Sequence, residues 1–392
     1  MPTTRGWALL GAGLALVVLW YLLGDEELLL AGSFFVVGLV LAVGYVRLHR
    51  PALSIGRRLG TTAVHSGDTI QVTLALRNSG TRVIRNLSVV DEVESLGTAT
   101  FEIAGIKAEA TATASYRVMC RPRGVYRVGP SHVVAADPLG LAELIASDGS
   151  VDQLVVYPTV EKLSGFPLVR GQDPSMAASR PEHSQRGGED FYTLREYQLG
   201  DDLRRVHWPS SAKTDQLMIR QLETPWQSRA LVLLDVRPDV YESSDAFETA
   251  VSGAASVVTH LVRSGFDADL WAGEPHAIDA SKYGAAMERL ALVQRDADID
   301  LNSVATHIRH KGGGGALAIV TGTADRTLIN VQQLLARDYP TTVLLGAAST
   351  TAQTLAGFHR LGVITVTVAP GGSWAHEWLT SIGAAWDVES VS

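Results

Sequence analysis

The chain has 392 residues, of which 46% are hydrophobic and 19% are charged, and its formal net charge at pH 7 is −8. The acidic balance argues against nucleic acid as a partner, because a surface that binds phosphates carries an excess of lysine and arginine. The single cysteine, Cys120, excludes an intramolecular disulfide and any zinc site built from several cysteines.

Residues 1–50 are predicted to form a transmembrane helical hairpin. The uncharged runs Trp7–Leu23 and Leu28–Val46 each approach the ~20 residues that a helix needs to cross a bilayer. A short polar turn at residues 24–27, with three carboxylates, separates the two runs. The lipid bilayer is therefore an expected partner of this chain.

The charges around the hairpin predict its orientation. Arg5 precedes the first run, and Arg47 and Arg50 follow the second, so the positive-inside rule places both ends in the cytoplasm. We expect a two-pass protein of the cell membrane with the bulk of the chain in the cytoplasm. The alternative is a cleaved signal peptide followed by one anchor. A long first run without a small-x-small cleavage site disfavours it.

Residues 51–160 are predicted to form an antiparallel β-sandwich of the immunoglobulin-like type. Hydrophobic and polar residues alternate in Thr69–Arg77, as in a strand with one buried face. Gly129-Pro130 is expected to interrupt a later strand. Further short strands at the spacing of a sandwich are expected at Ile84–Val90, Thr98–Ile103, Thr111–Met119, Val125–Val128 and His132–Ala135. No catalytic constellation is evident among them, which favours a spacer or a recognition module.

Residues 161–228 are predicted to be a linker that leads into a charged motif. In the motif, acidic, basic and aromatic residues are closely mixed, which favours ion pairs over a phosphate site. Its candidate structural or docking residues are Asp190, Phe191, Leu194, Arg195, Tyr197, Gly200, Asp201, Asp202, Arg204, Arg205, His207, Trp208, Ala212 and Lys213.

Two interpretations of this motif stay open. In the structural one, a short helix begins at Gly200-Asp201-Asp202 and ends at Trp208, which is buried as an apolar anchor, and Leu217–Leu222 forms a strand. Its arginines pair with neighbouring carboxylates; these residues are Arg195, Arg204, Arg205, Glu196, Asp201 and Asp202. In the alternative, Asp201, Asp202 and His207 join Asp235 in a metal or acid–base cluster of a membrane-bound hydrolase.

Residues 229–370 are predicted to form a doubly wound α/β domain. The apolar run Ala230–Leu234 precedes a helix over residues 245–263, whose apolar residues recur with helical spacing. After this helix, strand-like and helical patterns alternate, which predicts a mainly parallel sheet; they lie at Ala268–Ala272, Ala316–Thr321, Ala324–Arg337, Thr342–Leu345, Thr351–Arg360 and Val363–Val368. Residues 371–392 are predicted to be a C-terminal tail or helix.

The carboxyl ends of parallel strands are where such folds bind ligands. Here that rim is predicted to contain residues 235–239 and 321–323. The glycine-rich run 311–315 precedes a strand and lacks the Gly-Lys-Ser/Thr of a phosphate-binding loop, so a flexible loop is expected. His276, His307 and His310 are expected to lie scattered on a solvated face.

The charged motif resembles the signature of the domain-of-unknown-function family 58 (DUF 58). The resemblance covers GEDFYTLREYQLGDDLRRVHW at residues 188–208 and SAKTDQLMIRQLE at residues 211–223. The family's upstream pattern is also present, as RGVYRVGP at residues 123–130 and DPLGL at residues 137–141. The resemblance implies a von Willebrand factor A-like domain after the motif. It also implies a partnership with MoxR-type AAA+ ATPases, alongside other membrane proteins.

Domains of the von Willebrand A type often hold a metal at an Asp-x-Ser-x-Ser sequence after the first strand. Asp235 matches its aspartate, but Arg237 and Asp239 occupy the serine positions, so two hydroxyl ligands for a hard cation are lost. Arg237 could place its guanidinium where the cation would lie. The later aspartate of such sites is not evident at Thr321-Gly322. We therefore expect neither metal nor cofactor.

These observations predict a membrane-anchored, non-enzymatic adaptor that binds proteins and works with a MoxR-type ATPase. The alternative is a membrane-bound hydrolase or metal-dependent enzyme that uses Asp201, Asp202, His207 and Asp235.

Overall fold

The computed structural model describes residues 1–48, 52–165, 192–196, 206, 208–214, 216–222, 229–274, 276–311, 315–369 and 371–389. The chain divides into two compact units. One comprises Met1–Val160 with Met287–Val293, and the other comprises Glu161–Ala286 with Gln294–Ser392.

Two apolar helices open the chain, as predicted. They are α1 (Thr4–Leu23) and α2 (Glu26–Leu48), and both are long and apolar enough to cross a membrane, with mean hydropathies of 2.0 and 2.3. The helices pack closely at Gly13 and Gly32. A Cβ on Gly32 would lie 2.8 Å from the Gly13 carbonyl oxygen, so this crossing depends on the missing side chain.

The strands of the first unit form two sheets that share a hydrophobic core. One sheet has the order β1-β3-β6, and the other has the order β2-β9-β7-β4-β5 with β8 paired to β7. The core joins side chains from both, for example Val72 on β3 and Val128 on β7. The strands are β1 (Leu53–Leu59), β2 (Ala63–His65), β3 (Thr69–Asn78), β4 (Ile84–Val93), β5 (Gly97–Ile106), β6 (Thr111–Met119), β7 (Gly124–Ala136), β8 (Glu143–Asp148) and β9 (Asp152–Tyr157).

The predicted break at Gly129-Pro130 is wrong, because β7 runs through it. The first part of β7 pairs with β9 and the later part pairs with β8, so the strand changes partners near the dipeptide. The register with β4 also shifts there, between Asp91 and Val93. At such an irregularity, the missing N–H of Pro130 removes no regular ladder bond, and the proline is tolerated inside a strand.

A buried ion pair, Arg57 with Asp91, links the two sheets. Arg57 on β1 donates to Asp91 on β4 from Nη2 at 2.7 Å, and their side chains are 1% and 0% exposed. Its guanidinium also donates to the Val128 carbonyl at 2.8 Å and to Ser131 Oγ at 2.7 Å. Gly129, with φ of +93°, lies directly against this guanidinium, and a Cβ there would come within 2.2 Å of it.

The elements after residue 160 include a six-stranded sheet of order β14-β13-β12-β15-β16-β17, in which only β14 is antiparallel. The mainly parallel sheet matches the prediction, whereas α5, α6 and β14 were not predicted. The elements are β10 (Tyr192–Glu196), α3 (Trp208–Thr214), β11 (Met218–Leu222), β12 (Arg229–Leu234), α4 (Ser244–Arg263), β13 (Asp267–Trp271), β14 (Ile278–Asp279), α5 (Tyr283–Leu292), α6 (Leu301–Lys311), β15 (Ala316–Thr321), α7 (Arg326–Leu335), β16 (Thr341–Gly346), α8 (Ala352–Arg360), β17 (Ile364–Thr367) and α9 (Trp374–Glu389).

The start and the end of the second unit meet at α9. The Glu161 carboxylate accepts hydrogen bonds from the backbone amides of Trp374 at 3.1 Å and Ala375 at 3.0 Å, so it caps α9. The indole of Trp378 donates to the carbonyls of Ser164 and Gly165 at 3.2 and 2.9 Å. Residues 371–392, predicted as a tail or helix, thus contain a helix that is anchored to residues 161–165.

Candidate functional site

The candidate site lies at the carboxyl edge of the six-stranded sheet. From β12 the chain proceeds to β13 on one side of the sheet and later to β15 on the other, so the strand order reverses between β12 and β15. Asp235 follows β12 directly, and Thr321 ends β15. A reversal of this kind opens the crevice in which doubly wound sheets bind ligands.

Asp235 is buried at this point and accepts four hydrogen bonds. Arg237 supplies three of them, from its backbone N at 3.1 Å, from Nε at 3.0 Å and from Nη2 at 2.8 Å. Thr321 donates the fourth from Oγ1 at 3.0 Å. Both carboxylate oxygens are thus engaged, in the bidentate geometry that guanidinium and carboxylate groups favour.

A second carboxylate, Asp325, holds the outer edge of the guanidinium. Arg237 donates to it from Nη1 at 3.0 Å and from Nη2 at 3.3 Å. Asp325 also caps α7, since its Oδ1 accepts from the Leu328 amide at 3.0 Å. Asp325 was not predicted from the sequence, because the later aspartate of such a site was expected at Thr321-Gly322. The signal was an N-cap aspartate before the apolar pattern of α7.

Burial and charge together set the protonation states of these groups. Burial lowers the pKa of Arg237, but the hydrogen bonds and charges of Asp235 and Asp325 outweigh it and raise that pKa overall. Burial also raises the pKa of Asp325, yet the bonds from Arg237 and the Leu328 amide hold it below its usual value. Burial and the charge of Asp235 raise the pKa of Tyr241 well above its usual value. Arg237 therefore stays a cation and Asp325 an anion at neutral pH.

The residues present do not fit a divalent cation. A hard cation needs free oxygen ligands, and both oxygens of Asp235 already accept from Arg237. The guanidinium lies between Asp235 and Asp325, where a metal would need those same oxygens. In the part of the chain that the structure describes, no group of three or more His, Cys, Asp or Glu side chains could hold a metal ion.

A short 3-10 turn, Pro238–Val240, crosses the site and brings residues 235–239 and 321–323 together as predicted. The Thr323 amide donates to the Val240 carbonyl at 2.8 Å. Gly322 makes this approach possible, because a Cβ there would lie 2.1 Å from the Val240 carbonyl oxygen. Tyr241 donates from its hydroxyl to the Asp235 carbonyl. Asp239 is exposed at the surface of the rim.

The charged motif is described in part. Leu194 and Arg195 lie on β10, which pairs antiparallel with β11, and Trp208, Ala212 and Lys213 lie on α3. The other predicted motif residues lie outside the described residues; they are Asp190, Phe191, Tyr197, Gly200, Asp201, Asp202, Arg204, Arg205 and His207. The ion pairs expected within the motif therefore stay predictions. The same holds for the cluster of Asp201, Asp202 and His207 with Asp235.

Two expectations for the motif are wrong. Trp208 is 66% exposed, not buried, and α3 begins at Trp208 instead of ending there. Pro209 accounts for the boundary, because proline lacks the N–H that an interior helix position must donate and is favoured in the first turn. The exposed residues Trp208 and Ala212 are four apart on α3 and so share one face of the helix.

The histidines are less scattered than expected. His276 Nδ1 lies 3.2 Å from His307 Nε2, although the two residues come from the segment before β14 and from α6. Both side chains are exposed in this pair. Their separation in the sequence gave no signal for this contact, because it depends on how the β13–β14 connection lies beside α6.

Residues 193–273 match the family described as "Protein of unknown function DUF58". The matched range contains α3 and the Asp235–Arg237 pair, while Thr321 and Asp325 lie beyond it. The chain is also 32% identical over 221 residues to "Uncharacterized protein YeaD" of Bacillus subtilis (strain 168), covering 55% of this chain. It spans about half, 54%, of the length of that relative.

Solved structures give only weak likenesses. The CARDB domain of a Pyrococcus furiosus protein has a TM-score of 0.21 at 12% identity, over 27% of this chain and 93% of that chain. A complex of zinc 2-glycoprotein with prolactin inducible protein from human seminal plasma has a TM-score of 0.21 at 10% identity, over 26% of this chain and 92% of that chain. At these scores, the likenesses carry no argument about this chain.

Proposed function

We propose that this chain is a membrane-anchored, non-enzymatic adaptor that docks a MoxR-type AAA+ ATPase through its charged motif. The observation that carries this proposal is the 66% exposure of Trp208. Tryptophan contributes much of the binding energy in many protein interfaces. A large apolar side chain that is exposed to water gives a large favourable free energy when a partner buries it. Ala212 and Lys213, both exposed on α3, extend the same surface.

The anchor in this proposal is the α1–α2 hairpin. Both helices are long and apolar enough to cross a bilayer, and the acidic turn between them contrasts with the basic residues Arg5 and Arg47 at the other end. This charge asymmetry supports an orientation with both helix ends, and the rest of the chain, in the cytoplasm. A reporter fused after Ser392 that is active only outside the cytoplasm should then stay inactive.

We further propose that the first unit is an immunoglobulin-like sandwich and that the six-stranded sheet belongs to a von Willebrand A-like domain. The face-to-face sheets of the first unit and the parallel order of the second support these assignments. In this view, Arg237 takes the place of the cation in the adhesion site. The rim would then meet proteins without any requirement for a metal.

The geometry of Asp235 weighs against the hydrolase alternative. A general base needs a free lone pair that faces the substrate, and a metal ligand needs one that faces the metal, whereas Asp235 is 0% exposed and accepts four hydrogen bonds. The energy for the process would come from the ATPase partner.

Site-specific photo-crosslinking in native membranes tests the docking surface. A photoreactive amino acid at Lys213, on α3, should capture a MoxR-type ATPase, identified by mass spectrometry. The matched control is the same amino acid at Asp267, an exposed residue at the amino end of β13, which should not. Equal capture from both positions, or none from Lys213, would overturn the proposal.

A further inference from the structure

The loop between β7 and β8, residues 137–142, is packed against the end of the α1–α2 hairpin. Thr3, just before α1, donates from N to the Leu141 carbonyl at 2.9 Å and from Oγ1 to the Gly140 carbonyl at 2.7 Å. Ala142 is buried in a small hydrophobic cluster with Ala42 and Val46 of α2. The contact is close, because a Cβ on Gly6 would come within 2.1 Å of the Leu141 carbonyl oxygen.

The loop is held rigidly by Asp137. This side chain is 4% exposed and accepts from the Leu139 amide at 2.9 Å and from the Ala142 amide at 2.6 Å. The backbone of Asp137 also bonds to Gly140 and Ala142. The tip of this rigid loop is Leu139, whose side chain is 71% exposed. A fixed loop that displays a leucine loses little conformational entropy when that leucine is buried.

The helix residues near this loop indicate which part of the hairpin it lies beside. Trp7 is 60% exposed and Tyr45 is 46% exposed, and both lie within one turn of an exposed arginine, Arg5 or Arg47. Aromatic residues beside basic ones are the mark of the membrane–water interface. Arg5 also reaches the loop, since its Nη1 lies 4.0 Å from the Cβ position of Gly140.

We propose that the 137–142 loop is a membrane-seating element, with Leu139 inserted into the interfacial region of the bilayer that the hairpin crosses. The occupant is lipid because the loop is continuous with the apolar surface of the helices and lies among interfacial aromatic and basic residues. The first unit is thereby attached to the membrane at a second point, separate from the covalent link between α2 and β1. This inference rests on the anchoring part of the proposed function.

Depth-dependent quenching in lipid vesicles tests the seating. Leu139→Cys is labelled with an environment-sensitive fluorophore in the full chain, reconstituted in phosphatidylcholine–phosphatidylglycerol vesicles with doxyl-labelled lipids. Val18→Cys, an exposed position within α1, is the in-membrane reference. Met119→Cys is the exposed apolar control. Met119 pairs with Thr69 at one end of β3, whereas Leu53, the first residue after the hairpin in β1, pairs with Asn78 at the other end. The native thiol, Cys120, is buried.

The expected result is loss of fluorescence at Leu139 and Val18 but not at Met119. If Val18 is quenched while Leu139 behaves like Met119, the seating proposal is overturned and the anchor stands. If Val18 is not quenched either, the anchoring part of the proposed function fails and the inference falls with it. If the labelled chain is not quenched and two unlabelled copies form a disulfide through Leu139→Cys, the occupant is protein and the seating is also overturned.

Discussion

Arg237 donates to both carboxylate oxygens of Asp235, from Nε at 3.0 Å and from Nη2 at 2.8 Å. The Asp235 side chain is 0% exposed and that of Arg237 is 11% exposed, so water reaches little of this pair. In such surroundings, the loss of one partner is costly, because the other charge stays buried without compensation. The pair therefore acts as a structural cross-link within one loop.

Arg237→Met should lower the unfolding free energy of the six-stranded sheet by about 3–5 kcal/mol, since it leaves the buried Asp235 carboxylate without its charged partner. Hydrogen exchange of the β12 and β15 amides in the full chain measures this effect. Arg229→Met is the matched control, because Arg229 is 60% exposed and lies 4.0 Å from Asp267. The control should cost about 0–1 kcal/mol. Equal losses in the two variants would contradict the buried cross-link.

Removing the guanidinium should also create a cation site. In Arg237→Ser combined with Asp239→Ser, residues 235–239 carry an Asp-x-Ser-x-Ser sequence, and Thr321 and Asp325 supply further oxygens for a hard cation. Isothermal titration with manganese should detect binding to the double variant and none to the native chain. Micromolar binding to the native chain that Asp235→Ala abolishes would show this account to be wrong.

The pH dependence of stability should carry a contribution from Asp325. Because Arg237 lowers the folded-state pKa of Asp325, the folded chain binds a proton there less readily than the unfolded chain does. The resulting stabilisation is complete above the unfolded pKa of about 3.9 and is lost as the pH falls through the lower folded value.

Native and Asp325→Asn chains should therefore differ most in α7 stability near neutral pH and converge in acid. Hydrogen exchange across a pH series, corrected for intrinsic exchange rates, provides the measurement. The exposed Asp267→Asn serves as the control. A difference between native and Asp325→Asn that grows on acidification would refute the assignment.

Gly129→Ala should destabilise the first unit strongly. The new methyl group would collide with the Arg57 guanidinium, which cannot move without breaking its buried bonds to Asp91 and Ser131. We expect a loss of at least about 3 kcal/mol, which is the order of a broken buried pair. Gly97→Ala separates the two causes, since Gly97 also has positive φ, at +133°, but nothing lies within 4 Å of its Cβ position.

Gly97→Ala should therefore cost less than Gly129→Ala, about 1–3 kcal/mol, which is the strain of a glycine-favouring backbone conformation alone. Hydrogen exchange of the β4 and β7 amides reports both variants. If Gly129→Ala and Gly97→Ala lower the unfolding free energy equally, the collision with Arg57 does not contribute to the loss.

Trp208→Ala should separate docking from stability. With the side chain largely in water, its removal leaves no cavity, and the unfolding free energy should change by less than about 0.5 kcal/mol. If the proposed ATPase docks here, its photo-crosslinking through Lys213 should nevertheless fall sharply, because alanine in place of an interface tryptophan removes a large share of the binding energy. A large loss of stability would instead place Trp208 in a packed core.

The strands were the easiest elements to predict from the sequence. Period-two alternation over Thr69–Arg77 and the apolar run Ala230–Leu234 each reflect burial of strand faces, which is a local property of the chain. The structure places strands at Thr69–Asn78 and Arg229–Leu234. The helix α4 was equally clear, since a wide apolar stripe covers it.

Features that depend on distant partners were harder to predict. Asp325 carries no mark of its contact with Arg237, because the contact arises only when α7 begins beside the end of β15. The exposure of Trp208 was also missed, since an aromatic residue among charges fits a buried anchor and a docking surface equally well. The strand β7 was predicted in two pieces because local sequence cannot reveal that it changes partners.

The bond between Glu161 and the amide of Trp374 joins positions 213 residues apart. A folded unit whose first and last segments meet can be inserted at a single loop of another chain, or removed from one, without stretching its host. Its ends could likewise be joined and new ones opened elsewhere by circular permutation. The cap on α9 thus keeps the first and last segments of this unit together, which is the condition that circular permutation requires.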